Sequence, residues 1–158
     1  MARGRILLGI LLSVWLLGAS AQEGPQRLAP WTLLDQFDQA YSLNNELRVL
    51  LVARGMSGAK LVEQALAGQP RGYLESRSAV YLADISGMPS LIASLFAVPA
   101  MRDYPFRVLL DHQGRVASRY PGAKDEVLWL ELRDGYLQST RRFSDAQALA
   151  RALEEAAQ

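Results

Sequence analysis

A short apolar run followed by a helix start is the feature that most constrains the fold of this chain. Residues Val49 to Ala53 are apolar without alternation, which is typical of a strand covered on both faces. The next residues, Gly55 to Lys60, lead into an amphipathic stretch from Leu61 to Leu66. We expect the Ser57 hydroxyl to cap this helix. Because a buried strand that feeds a helix is the repeating unit of α/β folds, the sequence predicts a sheet flanked by helices.

The rest of the sequence predicts a hairpin, further strands and two more helices. Trp31 to Leu34 and Ala40 to Leu43 flank a polar turn, which is typical of a β-hairpin. Strands are predicted at 79–83, 106–110, 127–132 and 136–142, and helices at 91–98 and from Ser144 onwards. Asp84 and Ser86 are candidate caps of the first of these helices, which Pro99 ends or kinks, and Ser144 with Gln147 predicts a capping box for the second. This order predicts a mixed sheet with helices on both faces and an N-terminal hairpin.

The N-terminal residues have the pattern of a secretory signal peptide. Arg3 and Arg5 precede an apolar run from Ile6 to Leu17, and Ala19-Ser20-Ala21 is an A-x-A cleavage site. The run is too short to span a bilayer, so we expect residues 1–21 to be cleaved rather than to anchor the chain. Residues 22–30 are then a flexible lead-in, and residues 31–158 form one domain. The predicted location is periplasmic or secreted, with no membrane span after cleavage.

Composition limits the chemistry that this domain can perform. The chain has no cysteine, which excludes disulfides, thiol nucleophiles and a lipid anchor on cysteine. Its formal net charge is +1, and loss of the two N-terminal arginines would leave it close to neutral. Nothing in this charge favours nucleic acid as a partner. We expect no resident cofactor or metal.

Three stretches resemble the thioredoxin-like superfamily, in particular its exported TlpA-type and peroxiredoxin-like branch. They are the hairpin from Trp31 to Leu43, the segment Tyr104 to Val116 with its proline, apolar strand, Asp111 and Gly114, and the closing hairpin and helix from Leu128. A more distant similarity is to exported proteins of the YtfJ type. The resemblance covers nearly the whole predicted domain and implies a thioredoxin-like α/β fold.

The resemblance also implies where the functional corner would lie. Met56-Ser57-Gly58-Ala59 takes the place of the family's Cys-x-x-Cys motif, and Lys60 follows it. Pro105, preceded by Tyr104, takes the place of the cis-proline that faces this motif. Since thiol–disulfide exchange needs a thiolate, the parent activity is excluded. These seven residues are the candidate binding corner, with no catalytic residue assigned.

Other interpretations of the same residues remain open in the sequence. Gly55 to Lys60 has features of an anion cradle at a helix start, but it matches no phosphate-binding motif. Ser57 would need His112 as a base to act as a nucleophile. Met56, Met88 and Met101 follow predicted elements along one rim of the sheet, where thioethers suit Cu(I) or a contact surface.

Charged and aromatic residues offer two more interpretations of the corner. Asp84, Asp103 and Lys60 would form a charged cluster at this rim, either as an acid–base or cation site or as ordinary surface pairs. Large aromatic residues are expected in or beside the core, and any exposed near the corner would indicate a peptide groove. They are Trp31, Phe96, Tyr104, Phe106 and Trp129.

The sequence favours a non-catalytic binding or scaffold protein of the cell envelope. The fold would hold an envelope protein or peptide, or a small ligand, by shape and backbone hydrogen bonds. The alternative is a cofactor- or metal-dependent enzyme or carrier that uses the same corner.

Overall fold

A seven-stranded mixed sheet organises the chain. A computed structural model describes residues 24–156, so the predicted signal peptide lies outside the described residues. The strands are β1 (Thr32–Asp35), β2 (Ala40–Ser42), β3 (Val49–Ala53), β4 (Ala79–Asp84), β5 (Val108–Asp111), β6 (Val127–Arg133) and β7 (Tyr136–Phe143). Their spatial order is β2-β1-β5-β4-β3-β6-β7. The predicted strands and the N-terminal hairpin are confirmed. Each predicted strand boundary lies within two residues of the observed one.

Strand direction determines which loops meet at one edge of the sheet. β3, β4 and β5 run parallel, so their carboxyl ends lie at the same edge. β6 runs antiparallel to β3, with Ala53 opposite Val127, so the start of β6 lies beside the end of β3. The segments that follow β3 and β4 and the segment that precedes β6 therefore converge at one corner.

The core has two layers, one on each face of the sheet. In β3 every residue is buried, and alternate residues belong to different clusters: Leu51 packs on one face and Leu50 on the other. The first cluster includes the helical residues Val62 and Leu149, with Met101 packed against it, and the second includes Leu28, Trp31 and Ala117 of the 3₁₀ turn Ala117–Arg119. This coverage explains why β3 is continuously apolar.

The α-helices are α1 (Met56–Ala65), α2 (Ser90–Ile92), α3 (Val98–Met101) and α4 (Ala146–Glu155). A π-helical turn, Ala93–Ala97, joins α2 to α3, so the chain stays helical from Ser90 to Met101. Pro99 was predicted either to end or to kink the helix. The helix continues through Pro99, so it does not end at Val98. A proline inside a helix removes a hydrogen bond and collides with the preceding turn, and the wider π turn that ends at Ala97, two residues before Pro99, gives the ring room.

The predicted helix caps are wrong in detail. α1 begins after Gly55 with no side-chain cap, so Ser57 is the second helical residue instead of the cap. Asp84 accepts hydrogen bonds from the Ser86 amide at 3.0 Å and the Ser86 hydroxyl at 2.6 Å, and neither residue caps α2. At α4 the cap is Asp145, whose carboxylate accepts the Ala148 amide at 2.8 Å. In each case the helix begins at a different residue from the one that the local pattern suggested.

The α4 cap can be tested by paired substitutions. Asp145→Ala is expected to lower the free energy of unfolding by about 1 kcal/mol, because an amide at the helix start loses its acceptor. The neighbouring exposed Ser144→Ala is the matched control, with an expected change below about 0.5 kcal/mol. Urea denaturation measures both, and a larger loss for Ser144→Ala would contradict this assignment.

Residues 26–28 of the predicted lead-in are held against the β6–β7 hairpin. The Leu28 amide donates to the Gly135 carbonyl at 3.0 Å, and the Leu137 amide donates to the Gln26 carbonyl at 2.8 Å. Leu28 is buried. This part of the chain therefore adds to the sheet edge, because Leu28 has apolar surface to bury and β7 has free backbone groups.

No helix among residues 24–156 is long and apolar enough to cross a membrane.

Candidate functional site

The start of α1 lies at the corner where the loops after β3 and β4 meet the loop before β6. Met56, Ser57 and Lys60 are exposed, Ala59 is partly buried and Gly58 is buried. Met56, Ser57, Ala59 and Lys60 line an open groove, whereas Gly58 lies on the opposite side of α1 against the chain that enters β6. The structure thus brings four of the five predicted α1 residues to one surface.

Gly58 fixes how closely α1 approaches the loop before β6. The Gly58 amide donates to the Lys124 carbonyl at 3.2 Å. A Cβ atom at Gly58 would lie 2.6 Å from the Glu126 carbonyl oxygen. The close approach explains why glycine is found at this position. It also uses an amide that an anion cradle at the helix start would need, so the geometry does not favour a phosphate site.

Tyr104 and Pro105 line one hollow together, and Tyr104 alone of the two also lines the groove. Tyr104 lines the groove together with Ser57 and Lys60. Pro105 lines a different hollow with Gln36 and Arg71, and no cis peptide bond occurs among residues 24–156. The residue that meets the start of α1 is Lys124, because β6 rather than β5 pairs with β3. Pro105 is not among the residues that line the groove with Met56, Ser57, Ala59 and Lys60.

The groove consists of two adjoining hollows of about 650 and 410 Å³. Met56, Met88 and Met101 line both of them. One wall is the start of α1, and the other is the helical segment from Ser90 to Met101. The prediction that the three methionines lie along one rim agrees with this arrangement.

The outer wall of the groove carries large apolar side chains that are exposed to solvent. Leu91, Ile92, Leu95 and Phe96 are exposed, Phe96 by 65% of its surface. Ile92 and Phe96 line the larger hollow. Met56 adds to this surface from the opposite wall with 77% exposure. A cluster of this kind is typical of a site that binds another molecule.

Sequence reasoning missed most of this wall. Leu91, Ile92 and Leu95 were part of a predicted short helix with no assigned role, and Phe96 was expected in or near the core. The sequence signal was the density of apolar residues between Leu91 and Val98, which indicates apolar surface but does not show whether another element covers it.

Charges at the groove do not form the predicted cluster of Asp84, Asp103 and Lys60. Asp84 pairs with Arg54, whose Nε lies 3.9 Å from Asp84 Oδ2. Asp103 does not line the groove. Lys60 and Lys124 line it and form no ion pair with a carboxylate among residues 24–156. The groove therefore has an apolar floor, and its rim carries the Lys60 and Lys124 ammonium groups and the Glu63 carboxylate, which leaves one net positive charge.

Two tyrosines of the smaller hollow stay neutral at physiological pH. Burial raises the pKa of Tyr81 well above its ordinary value. Partial burial, and then the Glu63 carboxylate that accepts its hydrogen bond, raise the pKa of Tyr104. Both side chains can donate or accept a hydrogen bond, but neither contributes a phenolate.

Ser57 and His112 lie apart. His112 lines a hollow with Trp31, Leu34 and Arg115, and this hollow shares no residue with the groove that contains Ser57. The pair therefore does not form a nucleophile–base arrangement. Within the described residues there is also no group of three His, Cys, Asp or Glu side chains that could hold a metal ion.

Comparison with known proteins identifies the fold. No protein-family model and no curated protein matches the sequence. Solved structures do match: peroxidoxin BcpB from Mycobacterium tuberculosis has a TM-score of 0.55 at 15% identity, with 84% of this chain and 94% of that chain covered. The thioredoxin domain of a thiol-disulfide oxidoreductase from Bacteroides vulgatus has a TM-score of 0.51 at 12% identity, with 81% and 95% covered. A hypothetical protein from Sinorhizobium meliloti 1021 has a TM-score of 0.54 at 19% identity, with 84% and 83% covered.

At these identities the similarity establishes the fold but says nothing about the activity. The predicted α/β fold class is confirmed, and the sequence carries no cysteine at or near the start of α1. The chain has a thioredoxin-like fold that lacks the Cys-x-x-Cys motif.

Proposed function

We propose that this protein is a non-catalytic binding module that holds an apolar segment of a partner protein in the groove between α1 and the helical segment Ser90–Met101. The observation that carries the proposal is the exposed apolar wall formed by Leu91, Ile92, Leu95 and Phe96, with Met56 opposite. Isolated exposed apolar residues are common, but a contiguous set beside a hollow of about 650 Å³ favours a binding role.

The lining residues favour a peptide-like ligand over a phosphate-bearing cofactor. Methionine side chains are flexible and polarisable, so they adapt to apolar side chains of different shapes. The Gly58 amide at the start of α1 already donates to Lys124, which leaves a cofactor phosphate fewer donors. Binding would rest on burial of apolar surface, at roughly 25 cal/mol per Å².

Charge at the rim favours a partner segment that carries an acidic residue. Lys60 and Lys124 have no carboxylate partner among the described residues, while Arg54 is already paired with Asp84. An aspartate or glutamate next to the apolar residues of the partner would complement these two ammonium groups. Complementary rim charges of this kind contribute to specificity and association rate more than to affinity.

Export is part of the same proposal. Arg3, Arg5 and the apolar run Ile6 to Leu17 before Ala19-Ser20-Ala21 support a cleaved signal peptide. The absence of cysteine is compatible with an oxidising compartment because no thiol is left to react there. The partner is then a protein of the cell envelope.

A fluorescence titration with anilinonaphthalene sulfonate tests the groove, because this dye combines an apolar ring system with one negative charge. Phe96→Ser is expected to weaken dye binding about tenfold, since an aromatic contact contributes roughly 1.5 kcal/mol or more. Phe37→Ser is the matched control, because Phe37 is 47% exposed on the β1–β2 turn, away from the groove. Equal binding by the wild-type protein and Phe96→Ser would contradict the proposal.

A further inference from the structure

The sulfur atoms of the described chain are gathered at the proposed binding groove. The sequence contains four methionines and no cysteine. Met56, Met88 and Met101 all line both hollows of the groove, although they come from three different segments. An oxidant that reaches this domain therefore finds its thioethers at the binding surface and no thiol that would react first.

The three thioethers differ in their access to solvent. Met56 is the first residue of α1 and is 77% exposed. Met88 and Met101 are partly buried and pack against the core cluster on that face of the sheet. Because susceptibility to oxidation follows exposure, Met56 is the methionine that a dissolved oxidant reaches first.

We propose that Met56 is a modification site at which a peroxide forms methionine sulfoxide, and that this oxidation weakens binding of the apolar partner segment. The inference rests on the proposed function of the groove. In the reaction the thioether sulfur gains one oxygen atom and is oxidised by two electrons. The O–O bond of hydrogen peroxide breaks, and the other oxygen leaves as water, so no further reactant is needed.

Oxidation at Met56 would change the two features that attract the partner, which are the apolar surface of the groove and the positive charge at its rim. The sulfoxide is polar, so an apolar ligand seated on it buries a strong hydrogen-bond acceptor. Lys60 is four residues further along α1, and Met56 and Lys60 line the same hollow. The sulfoxide oxygen can therefore accept a hydrogen bond from the Lys60 ammonium group, which then competes with the acidic residue of the partner.

Peptide mass mapping after limited hydrogen peroxide treatment tests the order of oxidation. The Met56 peptide is expected to gain one oxygen before the peptides that contain Met88 or Met101. Earlier oxidation of either of these two would overturn the assignment. The experiment uses folded full-length protein, since unfolding would expose all three thioethers equally.

Dye titration of the same samples tests the consequence for binding. Singly oxidised protein is expected to bind anilinonaphthalene sulfonate about tenfold more weakly than untreated protein, and methionine sulfoxide reductase should restore the affinity. Met56→Leu keeps the apolar volume without the sulfur, so its affinity should be unchanged by peroxide, whereas Met88→Leu should not protect.

The outcomes separate this inference from the proposed function. Failure of untreated protein to bind the dye would overturn both. Normal binding by untreated protein, together with unchanged binding after Met56 oxidation, would overturn the oxidation proposal alone and leave the groove as a binding site.

Discussion

Replacing Gln36 with leucine is expected to lower the free energy of unfolding by about 3 kcal/mol, because it leaves buried backbone groups without partners. Gln36 is 1% exposed. Its Nε2 donates to the Phe106 carbonyl at 2.9 Å and to the Met101 carbonyl at 3.3 Å, and its Oε1 accepts the Val108 amide at 2.9 Å. Leucine has a similar volume and none of these groups, so the loss reports on hydrogen bonding rather than on a cavity.

The same residue links the N-terminal hairpin to the wall of the groove. Met101 ends α3, and the Arg102 side chain donates to the Gln36 carbonyl at 2.8 Å. Loss of the Gln36 amide should therefore loosen the end of α3 as well as the start of β5. The measurements are urea denaturation and amide hydrogen exchange. Gln39→Leu is the control, because the exposed Gln39 lies in the same turn and should change stability by less than about 0.5 kcal/mol.

Faster exchange of the Val108 amide in Gln36→Leu, with no comparable change in Gln39→Leu, would support this account. Equal stability of the two variants would contradict the role given to Gln36.

Replacing Gly58 with alanine is expected to destabilise the protein by about 2 kcal/mol. Alanine in the interior of a helix normally stabilises by about 1 kcal/mol relative to glycine. Here the added methyl group would lie 2.6 Å from the Glu126 carbonyl oxygen, which is backbone and cannot rotate away. Overpacking of this kind costs about 1 to 3 kcal/mol and at this distance falls at the upper end of that range, so it outweighs the gain in helix propensity.

A second glycine in the same region provides the control for Gly58. A Cβ atom at Gly87 would meet nothing within 4 Å, so Gly87→Ala should change stability by less than about 0.5 kcal/mol. Urea denaturation measures the free energy of unfolding of both variants. A Gly58→Ala variant that is more stable than the wild-type protein would contradict the close contact between α1 and the loop before β6.

The strands of this fold were predictable because their signals are local. Val49 to Ala53 is apolar throughout, and the turn Arg133-Asp134-Gly135 separates two strands directly. Pairing between distant strands has no such local signal. Phe106 to Leu110 and Val127 to Leu132 are both apolar runs, and nothing in either shows which one lies beside β3. The expectation that Pro105 faces the start of α1 depended on this choice.

The candidate site was predicted only in part for a related physical reason. The position of Met56 to Lys60 follows from the strand and helix pattern around it, and the structure places four of these residues on one surface. The exposure of Leu91, Ile92, Leu95 and Phe96 could not be predicted, because a helix with almost no polar residues normally indicates burial. Whether such a helix is covered depends on the neighbouring elements, which here leave its outer face open.

An amide-resolved NMR titration tests the central claim most directly. The ligand is a short leucine-rich peptide that ends in aspartates, and a twin that ends in lysines is the control. Shifts are expected only in residues 54–63, 81–106 and the region of Lys124, with tighter binding of the aspartate peptide. No binding, or shifts centred on the hollow around His112, would contradict it.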